Sequence, residues 1–444
     1  MGKYFGTDGI RGKAGETLTK EMAYKVGRYI GYFCKTNSTG KIVIGKDTRQ
    51  SSTMFEAALA EAICESGSNV YLLGYVSTPC LAYTAMHNDF SCGVMISASH
   101  NPYTDNGIKI FGNNGLKVKD DIETSIEEYI DNPVELEDCG KGRIYDFKSA
   151  IAEYQNWLIE KYPLNLKGLK LCVDLCNGSN CYTARQVLDK INANITYINN
   201  SPDGTNINNG CGSTHLEMLK EVTVFNDCDL GFAFDGDADR VLFVNKKGET
   251  IDGDKIIYLL AKYLKSNNLL TNNKVVTTVM SNIGLYKALD AKNIGYDVTP
   301  VGDKNVVESM LNNNYVVGGE QSGHIICTLD SNFGDGLKTA LMVLKAITYF
   351  DATIEESVSE LTIYPQLLIN KKVNDKTIVL NDEEIKAKIA EITNILGKDG
   401  RILVRPSGTE PIIRVMVEAK SDEICKQYVD EVIELIEKKG YAQA

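Results

Sequence analysis

The sequence predicts an α/β protein: three related α/β domains with mixed, largely parallel sheets, followed by a smaller C-terminal α+β domain. Three observations lead there. The chain has 444 residues, more than one ordinary core organises, since domains run to roughly 100–200 residues. A strand–turn–helix–strand unit of about 30 residues, the size of a βαβ element, recurs three times. The last stretch drops that alternation and sets two short strands before one long amphipathic helix.

The first unit runs from an apolar strand at 41–45 through a helix near 54–66 to a strand at 70–73. The second has strands at 169–174 and 195–198 around a helix near 182–190, and the third has strands at 274–279 and 296–298 around a helix near 285–292. Their strands are rich in β-branched residues, so each unit should lay parallel strands side by side with the helix crossing over. In the tail, strands at 401–404 and 412–418 flank a loop at Ser407, and a helix at 422–439 carries Ile424, Tyr428, Val432 and Leu435 on one face. The expected domains are 1–155, 156–253, 254–365 and 366–444, with joints near 157–167, at Gly253-Asp254 and at Tyr364-Pro365.

Composition narrows the function. An apolar share of 43%, a charged share of 24% and only 9 prolines are those of an ordinary globular protein. The N-terminus has no apolar signal region, Gly6 stands where a myristoylation motif needs Ser or Thr, and no run reaches membrane-spanning length; a cytoplasmic protein without a membrane partner is expected. The 12 cysteines are scattered, with no C-x-x-C pair, and read as reduced, buried, small apolar residues. A net charge of -12 argues against nucleic acid. Anionic small substrates remain open where positive charge is local. Arginine is scarce, 9 against 38 lysines, yet Arg11, Arg240, Arg405 and Arg414 lie in or beside the motif loops, and its rigid fork suits phosphate.

Four motifs carry the chemistry. Ser99, in Ser97-Ala98-Ser99-His100-Asn101-Pro102, follows an apolar strand where an α/β fold places its ligand crevice, and a polar stretch ending at Gly107-Ile108-Lys109 follows it. A phosphate carrier and a plain turn serine both fit; a hydrolase nucleophile does not, because no G-x-S-x-G surrounds it. Asp235, Asp237 and Asp239 alternate, which puts three carboxylates on one side of a loop. Two carboxylates about 4 Å apart repel by roughly 4 kcal/mol at an effective dielectric near 20, so a hard divalent cation, Mg²⁺ first, or full solvation would have to relieve them. An EF-hand is excluded, since Arg240 and Lys246 stand where Gly and Glu are required. Glu320, Ser322 and His324 alternate in a Gly-flanked loop, suited to vicinal sugar hydroxyls or to an ordinary turn. Arg405, Ser407, Gly408 and Thr409, with Arg414 nearby, make an anion nest of backbone N–H groups and guanidinium. No P-loop and no dinucleotide fingerprint occurs, so a donor phosphate would come from the protein itself.

With Tyr4-Phe5-Gly6-Thr7-Asp8-Gly9-Ile10-Arg11-Gly12 ahead of them, these motifs stand in an order that resembles the α-D-phosphohexomutases over essentially the whole chain. The resemblance implies four domains around one cleft, with Ser99 as phosphoserine and one Mg²⁺ held by Ser99, Asp235, Asp237 and Asp239. It further implies Arg11, His100, Lys109 and Arg240 around the transferring group, Lys109 as general acid or base, and Glu320, Ser322 and His324 on the substrate. Arg405, Ser407, Gly408, Thr409 and Arg414 would hold the phosphate not in transfer. Cys211-Gly212-Ser213-Thr214-His215 and the run around Gly319-Glu320-Gln321 resemble the branch acting on hexosamine phosphates. That branch implies exchange of glucosamine 6-phosphate and glucosamine 1-phosphate through a 1,6-bisphosphate, feeding amino-sugar nucleotide and cell-wall precursor synthesis, with a catalytic hexose 1,6-bisphosphate as activator. Glucose or mannose phosphates with the same chemistry are the alternative, and a homodimer stays open. Ala238, Lys304-Asn305 and Ser77-Thr78-Pro79-Cys80 depart from the branch pattern and bear on sugar preference.

Overall fold

Apolar strands buried along their whole length, such as 92–96 and 230–234, need cover on both faces, and helices supply it as the chain builds four sheets. The computed structural model describes residues 2–407 and 410–443. The first sheet contains β1 (Phe5–Gly6), β2 (Gly9–Lys13), β3 (Lys41–Lys46), β4 (Asn69–Tyr75), β5 (Cys92–Ile96), β6 (Asp105–Gly112) and β7 (Ile144–Asp146), in the order β1-β2-β6-β5-β3-β4-β7. The second contains β8 (Lys170–Asp174), β9 (Asn194–Ile198), β10 (Leu230–Phe234), β11 (Val241–Asn245) and β12 (Thr250–Ile251), in the order β12-β11-β10-β8-β9. The third, in the order β14-β13-β15-β16, is built from β13 (Lys274–Thr278), β14 (Gly295–Thr299), β15 (Val317–Gly319) and β16 (Ile325–Cys327). These three sheets join parallel pairs to antiparallel ones, as expected of mixed sheets. The fourth, β17 (Gln366–Lys372), β18 (Arg401–Pro406) and β19 (Ile412–Glu418), is antiparallel throughout.

The first sheet fixes where chemistry can occur. From β3 the chain crosses through the helix Ser52–Glu65 to β4 on one side, then through the helix Thr78–His87 to β5 on the other side of β3. The carboxyl ends of β3 and β5 therefore bound a topological switch point, the crevice where α/β sheets bind ligands. Ile42, Ile44, Val94, Ile96 and Ile108 pack with Phe55 and Leu59 beneath it and hold the two strand ends in place.

By packing, the chain forms two compact units, Met1–Met280 with Ile294–Val358 and Ser281–Asn293 with Ser359–Ala444. The third strand–helix–strand unit is thus divided: its helix, Ile283–Ala291, belongs to the second unit. The reason is polar as well as apolar. Asn282 caps this helix through Gly284 N and exchanges hydrogen bonds with the Tyr364 backbone, while Ile283 N donates to Glu418.

Three further details differ from the sequence reading. The helix expected at 182–190 breaks into short turns, Asn180–Thr183, Arg185–Leu188 and Asp189–Ile191, consistent with the poor helix formers Asn, Cys, Tyr and Thr at its start. The terminal helix, Asp422–Lys438, buries Cys425, Val429, Val432 and Ile436; Ile424, Tyr428 and Leu435 only flank that stripe, because counting large apolar residues overlooks the small Cys425. The expected joints are also ordered structure: Trp157 lies in the helix Ala150–Lys161, and Gly253-Asp254 form the buried first turn of Gly253–Ser266. All twelve cysteines are free thiols, most of them buried. Among the described residues no helix is long and apolar enough to cross a membrane.

Candidate active site

Ser99 sits one short turn beyond β5, at the switch point, with φ of 53°. A non-glycine residue in this left-handed region costs of order 1–2 kcal/mol, so the surrounding bonds must hold it there. Ser97 Oγ does part of this, donating to Asp47 Oδ2 at 2.6 Å and accepting from Ser99 N at 2.9 Å. The strained turn aims Ser99 Oγ at Asp235 Oδ2, 2.6 Å away, with His100 Nδ1 at 3.2 Å.

The loop between β10 and β11 supplies the carboxylates. Asp235, Asp237 and Asp239 are all buried, and one oxygen from each lies within 4.8 Å of the others. Close backbone approach keeps this loop against the serine turn: a Cβ on Gly236 would stand 2.6 Å from Ser99 O. Burial, reinforced by Asp239 and Asp237, pushes the Asp235 carboxyl well above its usual range. Asp239 is also buried, yet Lys109 and His324 outweigh that and hold it low. Asp237 Oδ1 and Asp239 Oδ1 are buried without a hydrogen-bond partner. Three crowded carboxylates with two buried oxygens that make no hydrogen bond fit a hard, oxygen-seeking divalent cation.

Positive charge surrounds this centre. Lys109, on β6, is 1% exposed and lies 2.8 Å from Asp237, 3.0 Å from Asp8 and 3.5 Å from Asp239. Burial opposes its charge, but the three carboxylates prevail and keep it an ammonium. Asp8 also pairs with Arg11 and with Lys117, and Lys117 reaches Asp303 at 2.9 Å. Arg11 Nε and Arg240 Nε are buried without a hydrogen bond, Arg240 Nε standing 3.9 Å from Asp239, so both keep a donor for an anion. Burial, then Arg240 and Arg11, lower His100 to about 4 and make it a neutral imidazole.

The sugar-loop candidates form the β15–β16 hairpin. Glu320 Oε1 accepts from Gly302 N at 2.9 Å and Ser322 Oγ donates to Glu320 Oε2 at 3.4 Å. Gly323 O accepts from Val241 N at 3.1 Å, which fastens the hairpin directly behind the aspartate loop. His324 lies between two carboxylates. Its Nδ1 stands 3.6 Å from Asp239 and its Nε2 3.9 Å from Asp303, and although burial would lower it, these carboxylates raise it to about 9.

In the second unit, Arg405 and Arg414 face each other across β18 and β19. Like charges directly opposite destabilise a strand pair, and here burial and Arg414 together lower Arg405. Arg414 Nε is buried and unpartnered, Ser407 N donates to Ile412 O, and Lys376 Nζ caps Ser407 O at 2.8 Å. Opposed guanidiniums of this kind suit an anion between them. Gly408 and Thr409 lie outside the described residues.

The first unit thus brings together Ser99, His100, Lys109, the three aspartates, Arg240, Arg11 and the Glu320 hairpin. Sequence reasoning passed over Asp47, Arg49 and Asn208, and it read Thr78 only as part of a departure bearing on sugar preference, not as a partner of Asp237. Thr78 Oγ1 donates to Asp237 Oδ2 at 2.5 Å, and Asn208 Nδ2 donates to the Ser99 carbonyl at 2.8 Å. Only Arg49 left a signal, as one of few arginines in a lysine-rich chain.

Comparison with known proteins places the chain in a family. Residues 2–137, 149–248 and 252–364 match phosphoglucomutase/phosphomannomutase alpha/beta/alpha domains I, II and III, and residues 368–435 match the C-terminal domain. The chain is 50% identical to a phosphoglucosamine mutase of Lachnospira eligens and 47% identical to one of Lachnoclostridium phytofermentans, covering 100% of each chain in both cases. Among solved structures, a phosphoglucomutase/phosphomannomutase family protein from Burkholderia thailandensis shares the fold with a TM-score of 0.83 at 23% identity, over 97% of both chains. An Aspergillus fumigatus N-acetylphosphoglucosamine mutase, solved with GlcNAc-6P and magnesium, has a TM-score of 0.72 at 17% identity, over 98% of this chain and 95% of that one. With all four domains matched in order and full-length relatives aligned end to end, the chain belongs to the phosphoglucomutase/phosphomannomutase family.

Proposed function

We propose that the protein interconverts glucosamine 6-phosphate and glucosamine 1-phosphate, with Ser99 as the phosphoryl carrier. The observation that carries this reading is the Ser99 hydroxyl held 2.6 Å from Asp235 in a buried carboxylate cluster, with the buried Nε atoms of Arg11 and Arg240, which make no hydrogen bond, in the same charged centre. Full-length relatives that are phosphoglucosamine mutases support the sugar.

In the forward direction, O1 of glucosamine 6-phosphate attacks the phosphorus of phosphoserine 99. The new P–O1 bond forms as the P–Oγ bond breaks, O1 gives up its proton while the departing Ser99 Oγ gains one, and glucosamine 1,6-bisphosphate results. After the bisphosphate turns over, Ser99 Oγ gives up that proton as it attacks the 6-phosphoryl phosphorus, O6 leaves and gains a proton, and glucosamine 1-phosphate is free to depart. Such transfer relies on positioning and on stabilising charge rather than on covalent help from many groups. Neutral His100 beside Ser99 Oγ is placed to take a proton, and Lys109 enters charged, placed to donate one or to balance the phosphoryl oxygens. Asp235, Asp237 and Asp239 with the seryl phosphate would hold one magnesium ion, which when bound supplies neutralisation of the transferring group. Glu320 and Ser322 would hold sugar hydroxyls, with His324 of the same hairpin steadying Asp239. Arg405, Ser407, Gly408, Thr409 and Arg414 would grip the phosphate not in transfer. A trace of hexose 1,6-bisphosphate would charge Ser99, and the four domain boundaries given above, with a cytoplasmic site of action, complete the reading.

The test is a substrate panel of glucosamine, glucose and mannose 6-phosphates with Mg²⁺ and trace hexose bisphosphate, alongside Ser99→Ala. Preference for the amino sugar, absent in Ser99→Ala, is expected. Equal or faster turnover of glucose or mannose 6-phosphate would overturn the sugar, and free phosphate in place of isomerised sugar would overturn the mutase.

A further inference from the structure

The turn carrying Ser99 has an unusual base. The carbonyls of Ser99, Asn101, Pro102 and Asp105 converge on Arg49, which is 0% exposed and lies just past the carboxyl end of β3, across the switch-point crevice. Arg49 Nη2 donates to Ser99 O at 2.8 Å and Asn101 O at 2.9 Å, Nη1 donates to Asp105 O at 3.0 Å and to Pro102 O, and Nε donates to Asp47 Oδ2 at 2.8 Å. A guanidinium has five N–H donors, and all are engaged. Asp47, equally buried, holds the amide side of the same turn through Ser97 Oγ, and Asn208 Nδ2 approaches the Ser99 and Asn101 carbonyls from the second sheet's loops at 2.8 and 2.9 Å.

A cation in a core is costly to bury, and a small apolar residue would fill space as well. Four carbonyls around one planar fork do something packing alone cannot: they fix the direction of each peptide in the turn, and with it the φ of 53° that aims Ser99 Oγ at Asp235. The demand on the turn rises when Ser99 is phosphorylated, because a phosphoserine carries about -1.5 to -2 charges at neutral pH and stands beside three carboxylates. Without a base fixed from below, repulsion would swing the phosphoseryl side chain out of line between turnovers.

We propose that Arg49, backed by Asp47 and by Asn208, is a positioning residue for phosphoryl transfer, a clamp that keeps Ser99 in its strained geometry. The inference rests on the reading of Ser99 as phosphoryl carrier. Its experiment compares the parent enzyme with Arg49→Lys, Arg49→Met and Asn208→Ala. It measures kcat and KM for the preferred hexose phosphate, Ser99 phosphate occupancy by intact mass, and folding by circular dichroism and thermal melting. Misplacement of a reacting group by about 1 Å can cost about 100-fold in rate. The expected result is therefore a fall in kcat of about 100-fold for Arg49→Lys and more for Arg49→Met, with KM within about threefold of the parent. Asn208→Ala, which leaves no buried charge behind, should lose about tenfold in kcat at unchanged KM. It decides the matter if the Arg49 variants do not fold. A folded Arg49→Lys or Asn208→Ala enzyme with kcat within about threefold of the parent would overturn the clamp, as would losses that merely follow the unfolded fraction. A parent enzyme that turns over no hexose phosphate would overturn the functional reading, and this inference with it.

Discussion

The Ser99 turn and the Asp235–Arg240 loop touch each other, yet they are built on opposite plans. In the turn, the groups that fix Ser99 are matched: its carbonyl, its amide, Ser97 Oγ and Arg49 all have partners. The loop keeps hydrogen-bonding capacity in reserve: Asp237 Oδ1, Asp239 Oδ1 and Arg240 Nε are buried without a hydrogen bond, the last two only at ion-pair distance from each other. A satisfied network makes a rigid platform, whereas unsatisfied buried charge is a cost that only a ligand relieves. The difference teaches which region positions the reacting atom and which receives what comes and goes.

That contrast can be broken by substitution. Asp235→Asn should separate activity from stability most widely. Removing one of three crowded carboxylates should lower kcat by about 100- to 1,000-fold, while the ligand-free protein melts no lower than the parent, since burial and its two neighbours already disfavour that charge. The same variant should lose the Mg²⁺-induced stabilisation of the parent, about 2.7 kcal/mol at 100 times Kd, read from denaturant curves with and without the ion. A variant that melts well below the parent and keeps its Mg²⁺ response would erase the distinction. Ser97→Ala tests the turn in the opposite sense. It leaves a buried amide and a buried carboxylate oxygen short of a partner, so urea unfolding should show a loss of about 1–3 kcal/mol, with the Mg²⁺ increment retained. An unchanged midpoint would show that the turn is not held as described. The smallest effect belongs to the second unit's hairpin, which follows the plan of the aspartate loop with the sign reversed. Arg414→Ala should raise KM for the sugar phosphate by about tenfold, one charge-assisted contact, and leave stability equal or higher because Arg405 loses the like charge opposite it. An unchanged KM would remove that hairpin from substrate binding.

Much of the site was legible because its donors are contiguous. Alternating Asp235, Asp237 and Asp239 announce their convergence at a spacing of two, and Ser99 follows an apolar strand whose end an α/β fold leaves open. The roles of Arg49, Asp47, Thr78 and Asn208 were not legible, because the groups they hold lie far along the chain and only the fold brings them together. His324 shows the same limit: its loop and neighbours were readable, but not that its ring would lie between Asp239 and Asp303. In the fold, the strand units were legible from β-branched runs. The helix Ile283–Ala291 joined the second unit through Asn282 and Glu418, which no local pattern reveals.

The central claim is that Ser99 carries the phosphoryl group between the two ends of one sugar. The direct measurement charges the protein with hexose 1,6-bisphosphate and Mg²⁺, maps the phosphate by peptide mass spectrometry, and then chases with glucosamine 6-phosphate. The account predicts a single phosphate on Ser99 that leaves during the chase and appears in glucosamine 1,6-bisphosphate and glucosamine 1-phosphate. A phosphate found on another residue, or one released from Ser99 only as free phosphate, would contradict it.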